Sequence, residues 1–187
     1  MNNQTIRLCS SSETRAKLLK VAGVPFVQSP VDYDEEQIVA DTPKSFVYQA
    51  AVGKFETAVG LFGYKEHPIL AADTVVTSHG RILRKAQSVD EARDILLVQS
   101  ASITSIVTCM IYQSSALKLI DISATDYIFN KFDRVDLERY LDSGEWQGKA
   151  GACMVEGFCR QYIKDVRGYE STAMGLSVEV LKAFSSF

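Results

Sequence analysis

Ile69-Leu70-Ala71-Ala72-Asp73-Thr74-Val75-Val76 is an apolar run with one carboxylate near its middle. Its length and β-branched content predict a buried strand. Asp73 has no packing reason to lie there, because burying an unpaired carboxylate is costly. Either it ends the strand, capping a turn or pairing with a lysine, or it is a site residue. Just beyond, Ser78-His79-Gly80 is a turn and Arg81-Ile82-Leu83 starts a partner strand, so residues 69–83 read as a hairpin.

Upstream, Thr5 to Cys9 reads as a first strand. Ser10-Ser11-Ser12-Glu13 follows, then Ala16, Leu18, Leu19 and Ala22 at helical spacing, with Gly23 and Pro25 as the stop. A strand entering a hydroxyl-rich turn and then a helix presents free N–H groups and the positive helix end, a natural phosphate site. Arg15 lies in the first turn, where a base is unfavourable for the helix, so it reads as facing an anion. A plain N-cap with a solvated arginine is the alternative. Phe26 to Tyr33 reads as extended, and Asp32-Tyr33-Asp34-Glu35-Glu36 as an acidic loop. Such a loop is also suited to a divalent cation that shares phosphate oxygens. Thr42-Pro43 opens a helix to about Leu61, which carries Lys54.

Downstream, Arg84-Lys85-Ala86 precedes a helix from Val89 to about Val98, with Ser88 and Glu91 as a capping box. Ser102–Tyr112 and Ala116–Phe129 read as antiparallel strands, and Asp133–Leu141 as a short amphipathic helix. The glycine-rich stretch from Ser143 to Ala152 contains Lys149 and lets the backbone approach a ligand closely. Cys159 to Val166 reads as extended, and a last helix ends near Phe184.

The 187 residues suit one domain, 1–187, and the 47% hydrophobic content is enough for a core. The formal net charge of −3, with 20 basic and 23 acidic residues, gives no global basic excess and no nucleic-acid-binding surface. Cys9, Cys109, Cys153 and Cys159 lack zinc-knuckle spacing and read as free, buried thiols of a reducing cytoplasm. The N-terminus lacks signal-peptide character and no apolar run is long enough to span a bilayer, which predicts a soluble cytoplasmic protein with no membrane partner.

The polar residues without a packing reason are Ser10, Ser12, Thr14, Arg15, Glu35, Lys54, Asp73, Lys85, Lys149 and Glu156. Acids and bases near turns at strand ends suggest a phosphorylated ligand with a metal ion.

With those segments in view, the chain resembles the Maf family of nucleoside triphosphate pyrophosphatases, also called septum formation inhibitors. Leu8-Cys9-Ser10-Ser11-Ser12-Glu13-Thr14-Arg15 resembles the family's opening motif, and Val31-Asp32-Tyr33-Asp34-Glu35 its Asp-x-Asp-Glu segment. Lys54 falls where the family has a lysine in its second helix. Ala72-Asp73-Thr74 resembles the Ala-Asp-Thr motif, Arg84-Lys85 the Gly-Lys-Pro segment, and Gly148-Lys149-Ala150-Gly151 the Gly-Lys-Ala-Gly block. The chain departs from the pattern at Glu13, Thr14 and Ala86. Glu156-Gly157-Phe158 resembles the branch acting on 7-methylguanosine triphosphate, while the Asp73-Thr74 and glycine-block positions resemble the pyrimidine branch.

The resemblance implies an α/β fold: a mixed twisted sheet with flanking helices, in two lobes around a central cleft, as in inosine triphosphatases. It implies hydrolysis of a nucleoside triphosphate to the monophosphate and pyrophosphate, a Mg²⁺ or Mn²⁺ cofactor and a homodimer. Asp73 would then activate water, and Glu35 would hold the metal, with Asp73 as a second ligand. Lys54, Lys85 and Arg15 would neutralise the phosphates, the Ser10–Ser12 turn would donate N–H groups, and Lys149 would bind substrate. Thr14, Thr74 and Glu156 would line the base pocket, Glu156 accepting from a purine's donor edge. A competing expectation is a non-catalytic nucleotide-binding regulator of cell division.

Overall fold

In the computed structural model, which describes residues 4–153 and 155–184, the predicted hairpin forms around Asp73. Strand β3 runs Ile69–Ser78 and β4, Arg81–Ile82, folds back on it antiparallel. Strand β1 (Ile6–Leu8) pairs parallel with β3 on one edge and with β2 (Phe26–Gln28) on the other. Two long strands, β5 (Ile103–Gln113) and β6 (Lys118–Phe129), and the shorter β7 (Ile163–Arg167) complete a seven-stranded mixed sheet. Its order is β2-β1-β3-β5-β6-β7, with β4 on β3. An inner strand covered on both faces carries a near-continuous apolar run rather than an alternation. β3 fits this, since Ile69 to Asp73 are all buried.

The helices begin where their caps predict. Ser12 caps α1 (Glu13–Val21), and Thr42 caps α2 (Pro43–Phe62), with Pro43 in the first turn. Ser88 caps α3 (Val89–Gln99), while the Glu91 carboxylate accepts from the Gln87 N–H. Asp133 caps α4 (Arg134–Ser143). Two short helices, α5 (Glu170–Ala173) and α6 (Val178–Phe184), close the described chain.

Contacts divide the chain into two units. The first comprises Met1–Thr74, Val107–Ala124 and Tyr169–Phe187; its core includes Ile6, Leu8, Leu19, Leu70, Met110, Leu176 and Leu181. The second comprises Val75–Ile106 and Thr125–Gly168. Its core is aromatic: the Phe158 ring stacks on Tyr140 at 4.5 Å and meets Phe132 edge-on at 5.3 Å.

Two expectations from the sequence change, and one short helix is added. Residues 158–162 are a 3-10 turn (Phe158–Tyr162), and only β7 beyond it is extended. The turn puts both Phe158 and Tyr162 against Phe132, a packing gain no local pattern reveals. The same turn brings Cys159 back to Cys153, 6.3 Å away between Cα atoms, and the two form a disulfide. They are therefore not free thiols, whereas Cys9 and Cys109 are free and buried. Burial pushes Cys9 up to about 11 and Cys109 up to about 12, so both stay protonated and unreactive at neutral pH. Finally, α5 is too short to show a helical period in sequence. Among the described residues, no helix is long and apolar enough to cross a membrane.

Candidate functional site

In the first unit, β3 carries Asp73 into a buried position with 6% of its surface exposed. From α2, the Lys54 Nζ donates to Asp73 Oδ1 at 2.6 Å and lies 2.5 Å from Glu35 Oε1. One ammonium thus holds two carboxylates that would otherwise repel. The acidic run divides its labour. Asp34 caps the 3-10 turn Glu35–Gln37, accepting from the Glu36 N–H and the Gln37 side chain, and Glu35 turns to Lys54. Asp32 and Glu36 are exposed.

The acidic segment is seated on α2 through Gly53. A Cβ built there would come within 2.1 Å of the Tyr33 ring. Only glycine lets that ring lie against the helix one residue before Lys54.

Asp73 Oδ2 is buried and has no hydrogen-bond partner. Desolvation is the largest influence on this carboxyl and raises its pKa; Lys54 opposes the shift, Glu35 adds to it, and Arg15 opposes it more weakly. A carboxylate more basic than usual, with one oxygen anchored and the other free, is equipped to accept a proton or to ligate a cation. Among the described residues there is no cluster of three or more metal-type ligands. Two carboxylates nevertheless fit Mg²⁺, which binds through one or two of them and takes the rest of its shell from water and phosphate oxygens.

Arg15 is engaged by the protein itself. Its Nε donates to the Gly175 carbonyl at 2.8 Å, Nη1 to Ser10 Oγ at 3.0 Å and Nη2 to Thr74 Oγ1 at 3.0 Å. A guanidinium has five N–H donors, so two remain. Thr108 Oγ1 lies 2.9 Å from Thr74 Oγ1 and donates to the Thr172 carbonyl. The Thr74 hydroxyl therefore accepts from Arg15 and donates to Thr108. Gly175 leaves room for this arrangement, since a Cβ there would lie 3.2 Å from both Arg15 Nε and Thr74 Oγ1. Sequence reasoning does not single out Thr108, whose one signal is a hydroxyl within an apolar strand. Around the α1 N-terminus, Ser10 Oγ accepts from the Ser12 N–H, and Ser12 Oγ accepts from the Arg15 N–H. Thr14 is exposed on that first turn.

In the second unit, an antiparallel bridge joins Lys85 to Ala150, which sets Lys85 beside the loop bearing Lys149. The loop is a fixed arch. The Gly151 N–H donates to the Leu83 and Arg84 carbonyls, and the buried Gln99 amide donates to the Gly151 carbonyl at 2.7 Å. Tyr140 Oη donates to the Ala152 carbonyl, and Trp146 Nε1 to that of Leu141. Gly151 takes φ +68°, and a Cβ on it would press on Val76 at 2.9 Å. The Lys85 and Lys149 side chains are exposed. Glu156 is exposed inside the loop that the Cys153–Cys159 bond closes.

The structure thus joins Asp73, Lys54 and Glu35 directly, links Arg15, Ser10 and Thr74 by hydrogen bonds, and sets Lys85 next to the Lys149 loop.

A family model described as Maf-like protein matches residues 5–185. A nucleoside triphosphate pyrophosphatase from a Nitratiruptor species is 57% identical over 178 residues, covering 94% of this chain and 96% of that protein. A nucleoside triphosphate pyrophosphatase of Helicobacter pylori is 39% identical over 174 residues, covering 93% and 91%. Among solved structures, the Staphylococcus aureus Ham1 protein aligns with a TM-score of 0.46 at 12% identity, over 67% of this chain and 72% of that one.

Proposed function

Since the chain belongs to the Maf family, we propose that it hydrolyses nucleoside triphosphates to the monophosphate and pyrophosphate, clearing unwanted nucleotides from the cytoplasmic pool. The observation that carries this reading is the buried Asp73, one oxygen held by Lys54 and the other free, with a raised pKa.

In the reaction, the free oxygen of Asp73 takes a proton from the water that attacks the α-phosphorus. Lys54 keeps Asp73 ionised and oriented, and its charge offsets that of the phosphates. N–H groups at the start of α1, which no helix carbonyl can reach, receive phosphate oxygens. Arg15 chiefly holds the Ser10 turn against Thr74 and Gly175, and its charge helps to offset that of the phosphates. By resemblance to the family, Lys85 and Lys149 would add positive charge for the leaving pyrophosphate, and Thr14, Thr74 and Glu156 would contact the base. Such displacement is catalysed mainly by positioning and electrostatics. A divalent cation, Mg²⁺ or Mn²⁺, would be held by Glu35 and Asp73 and would supply charge stabilisation for the phosphate oxygens. The working protein is a homodimer, and the chain acts as one Maf-type domain over 1–187.

Product analysis by ³¹P NMR, over a panel of canonical and modified triphosphates with Mg²⁺ or Mn²⁺, tests the reading. It expects equimolar monophosphate and pyrophosphate. Diphosphate with inorganic phosphate, or no turnover of any nucleotide, would overturn it, the second result in favour of a non-catalytic regulator.

Gly53→Ala separates positioning from stability. The Tyr33 ring must leave α2 and take Glu35 with it. Misplacement of this kind is expected to cost roughly tenfold to a hundredfold in kcat/KM. Because the half-buried ring can swing outward, the stability loss is expected at only about 1 kcal/mol. Steady-state kinetics and a thermal melt on the same sample check both; unchanged kinetics would contradict the role given to Glu35.

A further inference from the structure

Helix α3 turns Ala92, Leu96 and Gln99 to the core, at the spacing of one helix face. The first two are apolar, and the third is a fully buried amide. Leucine or methionine would fill that position, so packing alone does not account for a glutamine. A buried amide is tolerated only when its polar atoms are paired, and each of these is. The two Gln99 side-chain N–H groups donate to the Ile95 carbonyl at 3.1 Å and to the Gly151 carbonyl at 2.7 Å. The amide oxygen accepts from the buried Thr104 hydroxyl. The core of the second unit thus reaches, across 52 positions of sequence, the arch that bears Lys149.

Gly151 is where that arch is fixed. The Ala152 N–H donates to the Lys149 carbonyl and closes a four-residue turn. Gly151 is its third residue, at φ +68°, a conformation that favours glycine. The Leu83 and Arg84 carbonyls hold the Gly151 N–H from one side, and Gln99 holds its C=O from the other. Gly151 and Ala152 are buried, whereas Lys149 and Ala150 are exposed. Half of the turn is therefore anchored in the core, and the other half presents the lysine. Without the Gln99 amide the Gly151 carbonyl loses its buried donor. The peptide must then turn toward solvent to regain a partner, and Lys149, two residues earlier in the same turn, moves with it.

We propose that Gln99 is a positioning residue: by holding the Gly151 carbonyl, it sets where the Lys149 ammonium meets the leaving pyrophosphate. The inference rests on the charge role given to Lys149 above. A purely structural Gln99 would affect stability independently of Lys149. A positioning Gln99 acts through the lysine, so its effect on pyrophosphate disappears when the lysine is gone.

Calorimetric titration of the full chain with inorganic pyrophosphate and Mg²⁺ tests this, with a thermal melt of each sample to confirm folding. Gln99→Met keeps the volume and removes both donors. It is expected to weaken pyrophosphate binding roughly tenfold, the scale of a lysine misplaced by less than about 1 Å. Lys149→Met is expected to weaken binding to a similar degree. The double variant is expected to lose no more than Lys149→Met alone, rather than multiplying to about a hundredfold. Thr104→Val is nearly isosteric and frees only the Gln99 oxygen. It is expected to cost roughly threefold, again only while Lys149 is present, and it carries the test should Gln99→Met not fold. If Gln99→Met and Thr104→Val bind pyrophosphate like wild type while Lys149→Met does not, the inference is overturned and the role of Lys149 stands. Losses that multiply would overturn it as well, leaving Gln99 a structural residue. If Lys149→Met itself binds like wild type, the role given to Lys149 fails and the inference fails with it.

Discussion

Asp73→Asn is expected to lower kcat by roughly 10²–10⁴, the range set by loss of a positioned general base, while the protein stays folded. Asparagine has nearly the same shape and still offers an oxygen to Lys54, but it cannot take a proton from water. The pH dependence follows from the raised carboxyl pKa. Activity needs the ionised form, so the wild-type rate falls on the acid side at a higher pH than an ordinary aspartate would give. That limb is expected to vanish from the residual activity of the variant. Stability moves the other way. A carboxyl whose folded pKa lies above its unfolded value stabilises the fold below the unfolded pKa, and this contribution is lost as pH rises through the folded value. At pH 7 the wild type carries the cost of an ionised, largely buried Asp73. The asparagine variant does not, so its Tm at pH 7 is expected to match or exceed wild type. A large drop in Tm would assign Asp73 to structure instead.

Lys54→Met is expected to damage both activity and stability. The ammonium touches Asp73 and Glu35 together. Without it, Asp73 is a buried charge beside a second carboxylate. Breaking a buried ion pair from one side costs about 3 kcal/mol or more. For a chain of this size that lowers Tm by roughly 6–12 °C at pH 7. The deficit is expected to shrink as pH falls, because Asp73 then takes up a proton and needs no counter-charge. Adding Asp73→Asn to Lys54→Met is expected to restore most of the stability and none of the turnover. Thermal melts of the two single variants and the double variant measure this coupling. Additive losses would contradict the shared-charge arrangement.

These expectations rest on features that differ in how readable they are from sequence. β3 is readable because β-branched residues mark residues 69–76, and a lone aspartate in that run conflicts with its surroundings. The helix starts at Ser12, Thr42 and Ser88 are readable because capping is local chemistry. Lys54 carries little meaning by itself, since most helical lysines are solvated; its partners lie 19 residues on one side and on the acidic turn on the other. Arg15 reads as facing an anion, yet one of its acceptors is the Gly175 carbonyl, 160 residues away. No local pattern encodes that contact. The Cys153–Cys159 bond escapes a sequence reading because the intervening stretch looks like open chain, when aromatic packing of Phe158 and Tyr162 curls it back. In each such case the deciding energy is tertiary.

The central claim is that water directed by Asp73 attacks the α-phosphorus. Turnover in H₂¹⁸O followed by mass spectrometry of the products tests it most directly. The account predicts one ¹⁸O in the nucleoside monophosphate and none in pyrophosphate. Label in pyrophosphate, or label in inorganic phosphate released beside a nucleoside diphosphate, would contradict it.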